Sequence, residues 1–316
     1  MNTTRTTLLA WALAVTLACA GCAQLPESAE PGTDTPGQEQ IETPTTPAKP
    51  LVSYLGPEGT YTQEACGVFF EGEGTYLPQE DVAASVQALL DGQVDYAVIP
   101  QENAIGGPIA EYLDEVVYQR DLHVAGEVEL PISQNLLAKP GTALEDIRTV
   151  YSHKQGIAQG STWLGEHLPD AEVTEVSSTA EGARMAAEAE DNTCAAIGSS
   201  AAAEVYGLEV VADNIQMSDT NKTRFYVLAL GNAAREASDR MAFVASGDVG
   251  DLAELLTSAE ESGLEVVAVH DRPRKTELGS YSYLVEVAGG GFEAFEAIAA
   301  ANPTFELRYL GSFPVR

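Results

Sequence analysis

The chain has 316 residues and a formal net charge of −32, from 48 acidic and 16 basic side chains. This excess of acid argues against a nucleic-acid partner, because neutralising phosphates requires clustered Lys and Arg. Of the 4 Cys and 4 His, none in the body of the chain has metal-ligand spacing, so we expect no metal site.

Residues 1–22 are typical of a bacterial export signal. Arg5 supplies a positive charge, and residues 8–20 form an apolar run too short to span a bilayer comfortably. The run ends in Cys-Ala-Gly-Cys, which resembles the lipobox of bacterial lipoproteins, so Cys22 would be lipidated and become the new N-terminus. Ordinary secretion with cleavage nearby is the alternative.

Residues 23–50 predict a solvated tether between this signal and a folded body. The segment carries six Pro, many Thr and almost no large apolar side chains. Such a composition cannot bury enough apolar surface to offset the entropy of ordering. We therefore expect a lipid-anchored protein that lies outside the cytoplasm, at the cell membrane.

The body, residues 51–231, alternates short apolar runs with helical periodicity. This alternation predicts parallel sheets covered by helices, arranged as one domain of two lobes with a cleft between them. Predicted strands cover 51–55, 94–99, 122–130, 149–152, 173–176, 195–197, 208–211 and 223–230. Predicted helices cover 82–90, the segment from Pro108, the segment after Gln155, 178–190 and a stretch ending at Gly207.

After a polar connector over 232–239, the remaining residues follow a β-α-β-β-α-β order. The strands are predicted at 241–245, 265–269, 281–287 and 305–310, and the helices at 251–261 and 292–301. This order is that of the ferredoxin-like split βαβ motif. It predicts a second, separately packed domain over residues 240–316.

Three loops before helix starts are candidates for binding an anion: 56–60, 102–108 and 177–179. Helix N-termini attract anions, and such loops gather at the carboxyl ends of strands. A fourth candidate is 221–225, where Lys222 and Arg224 flank a hydroxyl and Arg could hold a carboxylate. Plain helix caps and exposed charges are the alternatives.

The body resembles the prephenate dehydratases over nearly all of residues 51–316. The resemblance rests on five motifs in order: Gly-Pro-Glu-Gly-Thr at 56–60, Val-Ile-Pro-Gln-Glu-Asn at 98–103, Tyr-Ser-His-Lys-Gln at 151–155, Ser-Thr-Ala at 178–180 and Asn-Lys-Thr-Arg-Phe at 221–225. It implies a two-lobed catalytic domain like the type II periplasmic binding proteins over 51–231. It also implies a C-terminal ACT domain over 240–316.

The resemblance further implies conversion of prephenate to phenylpyruvate, by decarboxylation and dehydration without a cofactor. Thr223 would be the essential hydroxyl near the leaving group, and Arg224 a substrate carboxylate partner or a structural support. Hydrogen-bond donors lining the cleft would be Thr60, Asn103, Ser178 and Thr179.

Two further side chains have open roles. Glu102, if kept neutral by desolvation, is a second proton source, and a structural hydrogen bond across its loop is the alternative. His153 could titrate near neutral pH or could orient its loop. A non-catalytic surface lipoprotein that binds an aromatic or dicarboxylate solute is the alternative function, and such a binder need not retain the Thr223 hydroxyl.

The ACT motifs, which carry the regulatory residues, depart from the family pattern. Gly250-Asp251-Leu252 stands where the family has Gly-Ala-Leu, and Asp271-Arg272-Pro273 where it has Ser-Arg-Pro. The added acids disfavour a bound carboxylate and an apolar ring. We therefore expect weak or no binding of L-phenylalanine, and association of the chain into a homodimer or tetramer through this domain.

The Cys22→Ser variant should lose lipid labelling and be released or mislocalised, because it lacks the thiol that accepts the lipid. Metabolic labelling with a fatty-acid analogue followed by membrane fractionation measures both effects, and Cys19→Ser is the matched control. Labelling that persists in Cys22→Ser and disappears in Cys19→Ser would place the lipid on Cys19 and refute Cys22 as the anchor.

Overall fold

The computed structural model describes residues 49–276 and 279–316. The export signal, Cys22 and nearly all of the tether lie outside the described residues. Within them, no helix is both long enough and apolar enough to cross a bilayer.

The described residues form fifteen strands and eight α-helices. The strands are β1 (Leu51–Leu55), β2 (Thr75–Gln79), β3 (Tyr96–Asn103), β4 (Gly107–Pro108), β5 (Leu122–Pro131), β6 (Asn135–Ala138), β7 (Thr149–Ser152), β8 (Glu172–Glu175), β9 (Cys194–Gly198), β10 (Glu209–Ala212), β11 (Lys222–Leu230), β12 (Arg240–Asp248), β13 (Glu265–Pro273), β14 (Ser280–Ala288) and β15 (Glu306–Phe313). The helices are α1 (Tyr61–Phe69), α2 (Val82–Leu90), α3 (Ala110–Tyr118), α4 (Lys154–His167), α5 (Thr179–Glu188), α6 (Ser200–Tyr206), α7 (Leu252–Glu261) and α8 (Phe292–Ala301).

The body forms two lobes, each built on its own sheet, as predicted. The first lobe has the strand order β2-β1-β3-β11-β5, and the second has β10-β6-β9-β7-β8. The prediction of parallel sheets is correct only in part, because both sheets also contain antiparallel pairs. In the first lobe, β11 arrives from the second lobe and inserts antiparallel between β3 and β5.

Two prolines lie in strands rather than at the predicted boundaries. β3 continues past Pro100 to Asn103, and the pairing of β3 with β11 is irregular near Pro100, between Arg224 and Phe225. This irregularity is expected where a residue has no N–H to donate. Pro108 pairs with β3 in the short strand β4, so α3 begins at Ala110 instead of Pro108.

The C-terminal region has the predicted βαββαβ order, and its antiparallel sheet runs β13-β14-β12-β15. One face of this sheet packs beneath α7 and α8. The other face joins the core of the first lobe, where Val244, Leu284 and Phe313 pack with Leu89 and Leu113. The expected separate packing is therefore wrong, because alternate residues of these strands make both faces of the sheet apolar.

Leu284→Ala should lower the free energy of unfolding by about 2–5 kcal/mol, because it opens a cavity in the core that the two regions share. Urea titration followed by circular dichroism measures the change. The control Val249→Ala, at a side chain that is 56% exposed, should stay within about 0.5 kcal/mol of the wild type. A similar loss in both variants would contradict the shared core.

Candidate functional site

A cleft of about 370 Å³ opens between the two lobes and contains most of the predicted site residues. Its lining comprises Leu55, Thr60, Tyr61, Thr62, Pro100, Asn103, Ile109, Tyr112, Ile132, Gln134, His153, Gln155, Gly156, Gln159, Ser177, Ser178, Thr179, Asn221, Thr223 and Phe225. A larger depression of about 560 Å³ lies beside Arg120 and Arg235, but it includes none of the predicted site residues.

Three helices begin at the cleft, and their N-cap residues Thr60, His153 and Ser178 all line it. Each cap side chain accepts a hydrogen bond from a backbone N–H of the first turn: Gln63 N at 3.4 Å, Gln155 N at 3.3 Å and Glu181 N at 3.0 Å. The helix starts thus direct three sets of backbone N–H groups and three positive dipole ends toward one space. This arrangement favours an anionic ligand.

Glycine allows the second-lobe helix starts to approach each other. A Cβ on Gly156 in α4 would lie 2.5 Å from Ser152 Oγ and 3.3 Å from Thr179 Cγ2. Ser178 and Glu181 form only half of the predicted capping box, because the Glu181 carboxylate pairs with Arg184 at 2.7 Å.

Asn103 and Thr223, which face each other across β3 and β11, form the polar floor of the cleft. Asn103 Oδ1 accepts from the backbone N–H groups of Ile105 at 3.0 Å and Gly106 at 2.9 Å. These donors fix the orientation of the amide, so its Nδ2 donates to Thr223 Oγ1 at 3.0 Å and to Asn221 Oδ1 at 2.8 Å.

Thr223 consequently accepts from Asn103, and no acceptor for its own hydroxyl proton is found among the described residues. Thr223 is only 9% exposed, and it is one of the residues that line the cleft. Thr60 differs, because its hydroxyl donates to the Leu55 carbonyl at 3.1 Å and caps α1 with the same oxygen. Thr60 therefore contributes the start of α1 rather than a free hydroxyl.

Arg224 and Glu102 do not line the cleft, which corrects their predicted roles in substrate binding and proton donation. They pair with each other at 3.0 Å on the opposite face of the sheet, because successive strand residues point to opposite faces. Arg224 also donates to Glu127 at 2.8 and 2.9 Å and contacts Glu286 of β14. It acts as a structural support, which was one of its two predicted roles.

The ion cluster behind the floor comprises Arg224, Arg240, Glu102, Glu127 and Glu286. Arg240 lies 3.0 Å from Glu127 and 3.6 Å from Glu286, and both of these carboxylates are fully buried. Burial raises the pKa of Glu127 above its ordinary value, and the hydrogen bond from Arg224 opposes this shift.

The cleft lining, as the structure describes it, contains no Lys, Arg, Asp or Glu side chain. Lys222, expected to attract an anion, instead lies 3.9 Å from Glu129. His153 is the titratable group of the lining nearest neutrality, and burial together with Lys154 lowers its pKa. Its observed role as a helix cap agrees with the predicted loop-orienting role.

Sequence reasoning missed several polar residues of the cleft, including Asn221, Gln155 and Gln159. Asn221, Thr223 and Phe225 line the cleft at every second position, so the period of a strand was a usable signal for Asn221. Gln155 follows the cap of α4 and reaches Asn103 Oδ1 at 3.4 Å, an inter-lobe contact that sequence spacing does not show.

The predicted regulatory residues lie at two places in the C-terminal region. Gly250 and Leu252 flank the start of α7, whereas Arg272 and Pro273 end β13. Arg272 forms an ion pair with Asp114 of α3. In the parts of the chain described, no group of three or more Cys, His, Asp or Glu is arranged to hold a metal ion.

The fold and the cleft together define a two-lobed α/β protein with a polar cleft between its lobes, and Thr223 and Asn103 form the floor of that cleft. The family model for prephenate dehydratase matches residues 52–233. The chain therefore belongs to the prephenate dehydratase family.

Two relatives and one solved structure illustrate the similarity. A bifunctional chorismate mutase/prephenate dehydratase of Neisseria gonorrhoeae is 38% identical over 244 residues, which cover 76% of this chain and 67% of the relative. A prephenate dehydratase of Corynebacterium glutamicum is 31% identical over 280 residues, covering 84% and 88%. The crystal structure of prephenate dehydratase from Arthrobacter aurescens in complex with L-Phe superposes with a TM-score of 0.73 at 28% identity, covering 84% and 89%.

His153→Asn should lessen the loss of stability in mild acid. The folded-state pKa of His153 is lowered, so the unfolded chain binds more protons, and stability falls as the pH drops below the unfolded value of about 6.5. Asn still caps a helix but does not titrate. Thermal unfolding at pH 7.5 and pH 5.5 measures the difference.

The control His167→Asn replaces an exposed histidine of the same helix and should follow the wild type at both pH values. If the wild type and His153→Asn lose stability in parallel, the protonation of His153 makes no contribution.

Proposed function

We propose that this protein is a prephenate dehydratase that converts prephenate to phenylpyruvate in phenylalanine biosynthesis. The dianion loses its ring carboxylate as carbon dioxide, and the electron pair of that bond enters the ring and expels the ring hydroxyl as hydroxide. The hydroxide takes a proton from solvent and becomes water. The observation that carries this proposal is the hydrogen bond from Asn103 to Thr223, which leaves the Thr223 hydroxyl proton to donate into the cleft.

Thr223 acts on the departing hydroxyl. A Thr hydroxyl is a poor acid, but a fixed donor stabilises the negative charge that grows on the leaving oxygen. Asn103 holds the threonine oxygen, and its own orientation is held by two backbone N–H groups. The donor is therefore positioned before the substrate arrives, so no reorganisation is needed during the reaction.

The two substrate carboxylates meet the starts of α1, α4 and α5. The described lining has no acidic side chain to repel them, and three helix N-termini supply backbone N–H groups. The net charge of −32 opposes the approach of a dianion at long range. Salt screens that repulsion beyond about 8–10 Å, so binding depends on the short-range donors of the cleft.

The C-terminal region serves as an ACT domain that mediates association of the chain into a dimer or tetramer. Its βαββαβ order supports this assignment. The similar Arthrobacter aurescens structure is a complex with L-Phe. We propose that this chain binds L-phenylalanine weakly, because Asp251 and Asp271 add negative charge beside the equivalent motifs and Arg272 is engaged by Asp114.

The enzyme operates outside the cytoplasm, tethered through a lipid on Cys22. The apolar run of residues 8–20, the small residues before the cysteine and the Pro-rich segment that follows support this location.

Thr223→Ala should lower kcat for phenylpyruvate formation by about 10²-fold or more while prephenate affinity changes little, because the hydroxyl contact forms with the leaving group in the transition state. The matched control Thr223→Ser keeps a hydroxyl and should retain most of the activity. Steady-state assays of phenylpyruvate, together with calorimetric binding of prephenate, separate the two effects.

A wild-type protein that binds prephenate but never forms phenylpyruvate would refute the enzymatic function and leave the solute-binding lipoprotein. Full kcat in Thr223→Ala would instead show that another group stabilises the departing hydroxyl.

A further inference from the structure

A glutamate from the C-terminal region reaches the back of the cleft floor. Glu286 of β14 is fully buried, yet its carboxylate contacts three side chains of the first lobe. It accepts from Gln101 Nε2 at 2.6 Å, from the Tyr226 hydroxyl and from the Arg224 guanidinium. All three partners belong to β3 or β11, the strands that carry Asn103 and Thr223.

Glu286 contacts β3 and β11 at the point where the pairing of these two strands is irregular. The register between β11 and β3 shifts between Arg224 and Phe225, because β3 has one extra residue, Gln101, between Pro100 and Glu102. Such a bulge disrupts the ladder and re-aims neighbouring side chains. On its other edge β11 pairs with β5 without interruption from Lys222 to Val227, so the irregularity is confined to the β3 edge. At that edge the side chains of Gln101 and Arg224 both donate to Glu286, which adds a constraint beside Asn103 and Thr223.

Glu286 is one of three carboxylates that hold Arg224. Only 13% of the Arg224 side chain is exposed, and its partners are the carboxylates of Glu102, Glu127 and Glu286. A buried charge is stable only with paired, hydrogen-bonded partners, so the loss of one partner makes the guanidinium reorganise. Because Arg224 adjoins Thr223, such a change reaches the cleft directly.

We propose that Glu286 is a positioning residue for Thr223, acting through Arg224, so that the C-terminal domain completes the catalytic floor. This inference rests on the proposed dehydratase function. It makes a specific demand: loss of the Glu286 charge affects catalysis only as long as Thr223 carries its hydroxyl.

The test compares Glu286→Gln with Asp114→Asn in the full chain. Gln preserves the shape of the side chain and removes its charge. Asp114→Asn breaks the Asp114–Arg272 ion pair, which also links the first lobe to the C-terminal region but lies outside the cluster. We expect Glu286→Gln to lower kcat about tenfold with a change in KM below about threefold, and Asp114→Asn to stay within about twofold of the wild type.

The decisive measurement repeats Glu286→Gln in the Thr223→Ala background. If Glu286 acts through the hydroxyl, the second substitution should lower kcat by less than about twofold there, because its target is already absent. A further tenfold loss in that background would overturn the proposal, as would an unchanged kcat in Glu286→Gln alone.

A second variant and a second measurement cover the cases in which Glu286→Gln does not fold or the wild type is inactive. If Glu286→Gln does not fold, Tyr226→Phe removes one donor to the same carboxylate, and its smaller loss of kcat must likewise vanish with Thr223→Ala. If the wild type forms no phenylpyruvate, the proposed dehydratase function is refuted. The positioning role of Glu286 is then tested by amide hydrogen exchange. Faster exchange at 222–226 and 101–104 in Glu286→Gln, but not in Asp114→Asn, supports the positioning role, and unchanged exchange overturns it.

Discussion

The antiparallel pairing of β11 with β3 is the interaction on which the rest of the structure depends. It sets Thr223 opposite Asn103 and Arg224 opposite Glu102. Because adjacent residues of a strand point to opposite faces, the first pair faces the cleft and the second pair faces the C-terminal sheet. The same few residues thus form the floor of the site and the anchor of the neighbouring domain, and a shift of one residue would exchange the two.

The location of charge follows from this arrangement. The charged side chains of the 221–225 segment lie outside the cleft, where Arg224 neutralises buried carboxylates that could not otherwise remain in a low-dielectric region. The cleft itself offers neutral donors and helix starts. An anion bound there is held by groups that cannot form strong ion pairs with it. Negative charge can therefore leave the ring carboxylate and move to the hydroxyl without breaking such a pair.

Local sequence patterns predicted most of the elements, although not β2 or β6, and predicted the site in part. The βαββαβ order, the end of α6 at Gly207 and the cap at Ser178 follow from short-range rules of periodicity and capping. Short-range rules did not predict the antiparallel insertion of β11 or the partners of Arg224. The Arg224 contacts with Glu286 and Glu102 join residues 62 and 122 positions apart. A basic residue beside a hydroxyl indicates an anion, but the pattern does not show whether that anion is a ligand or a buried glutamate.

The shared core gives the C-terminal region a mechanical connection to the cleft that a flexible linker would not. Val244 and Leu284 fix the sheet against α2 and α3, and Glu286, two residues along the same face of β14, enters the ion cluster. Apolar packing sets the distance between the two sheets, and the short range of hydrogen bonds then makes the cluster sensitive to that distance. A change in the packing of the C-terminal sheet would therefore alter the contacts of Arg224 and, through it, the position of the adjacent Thr223. The fold thus links the packing of the C-terminal sheet to the geometry of the cleft floor.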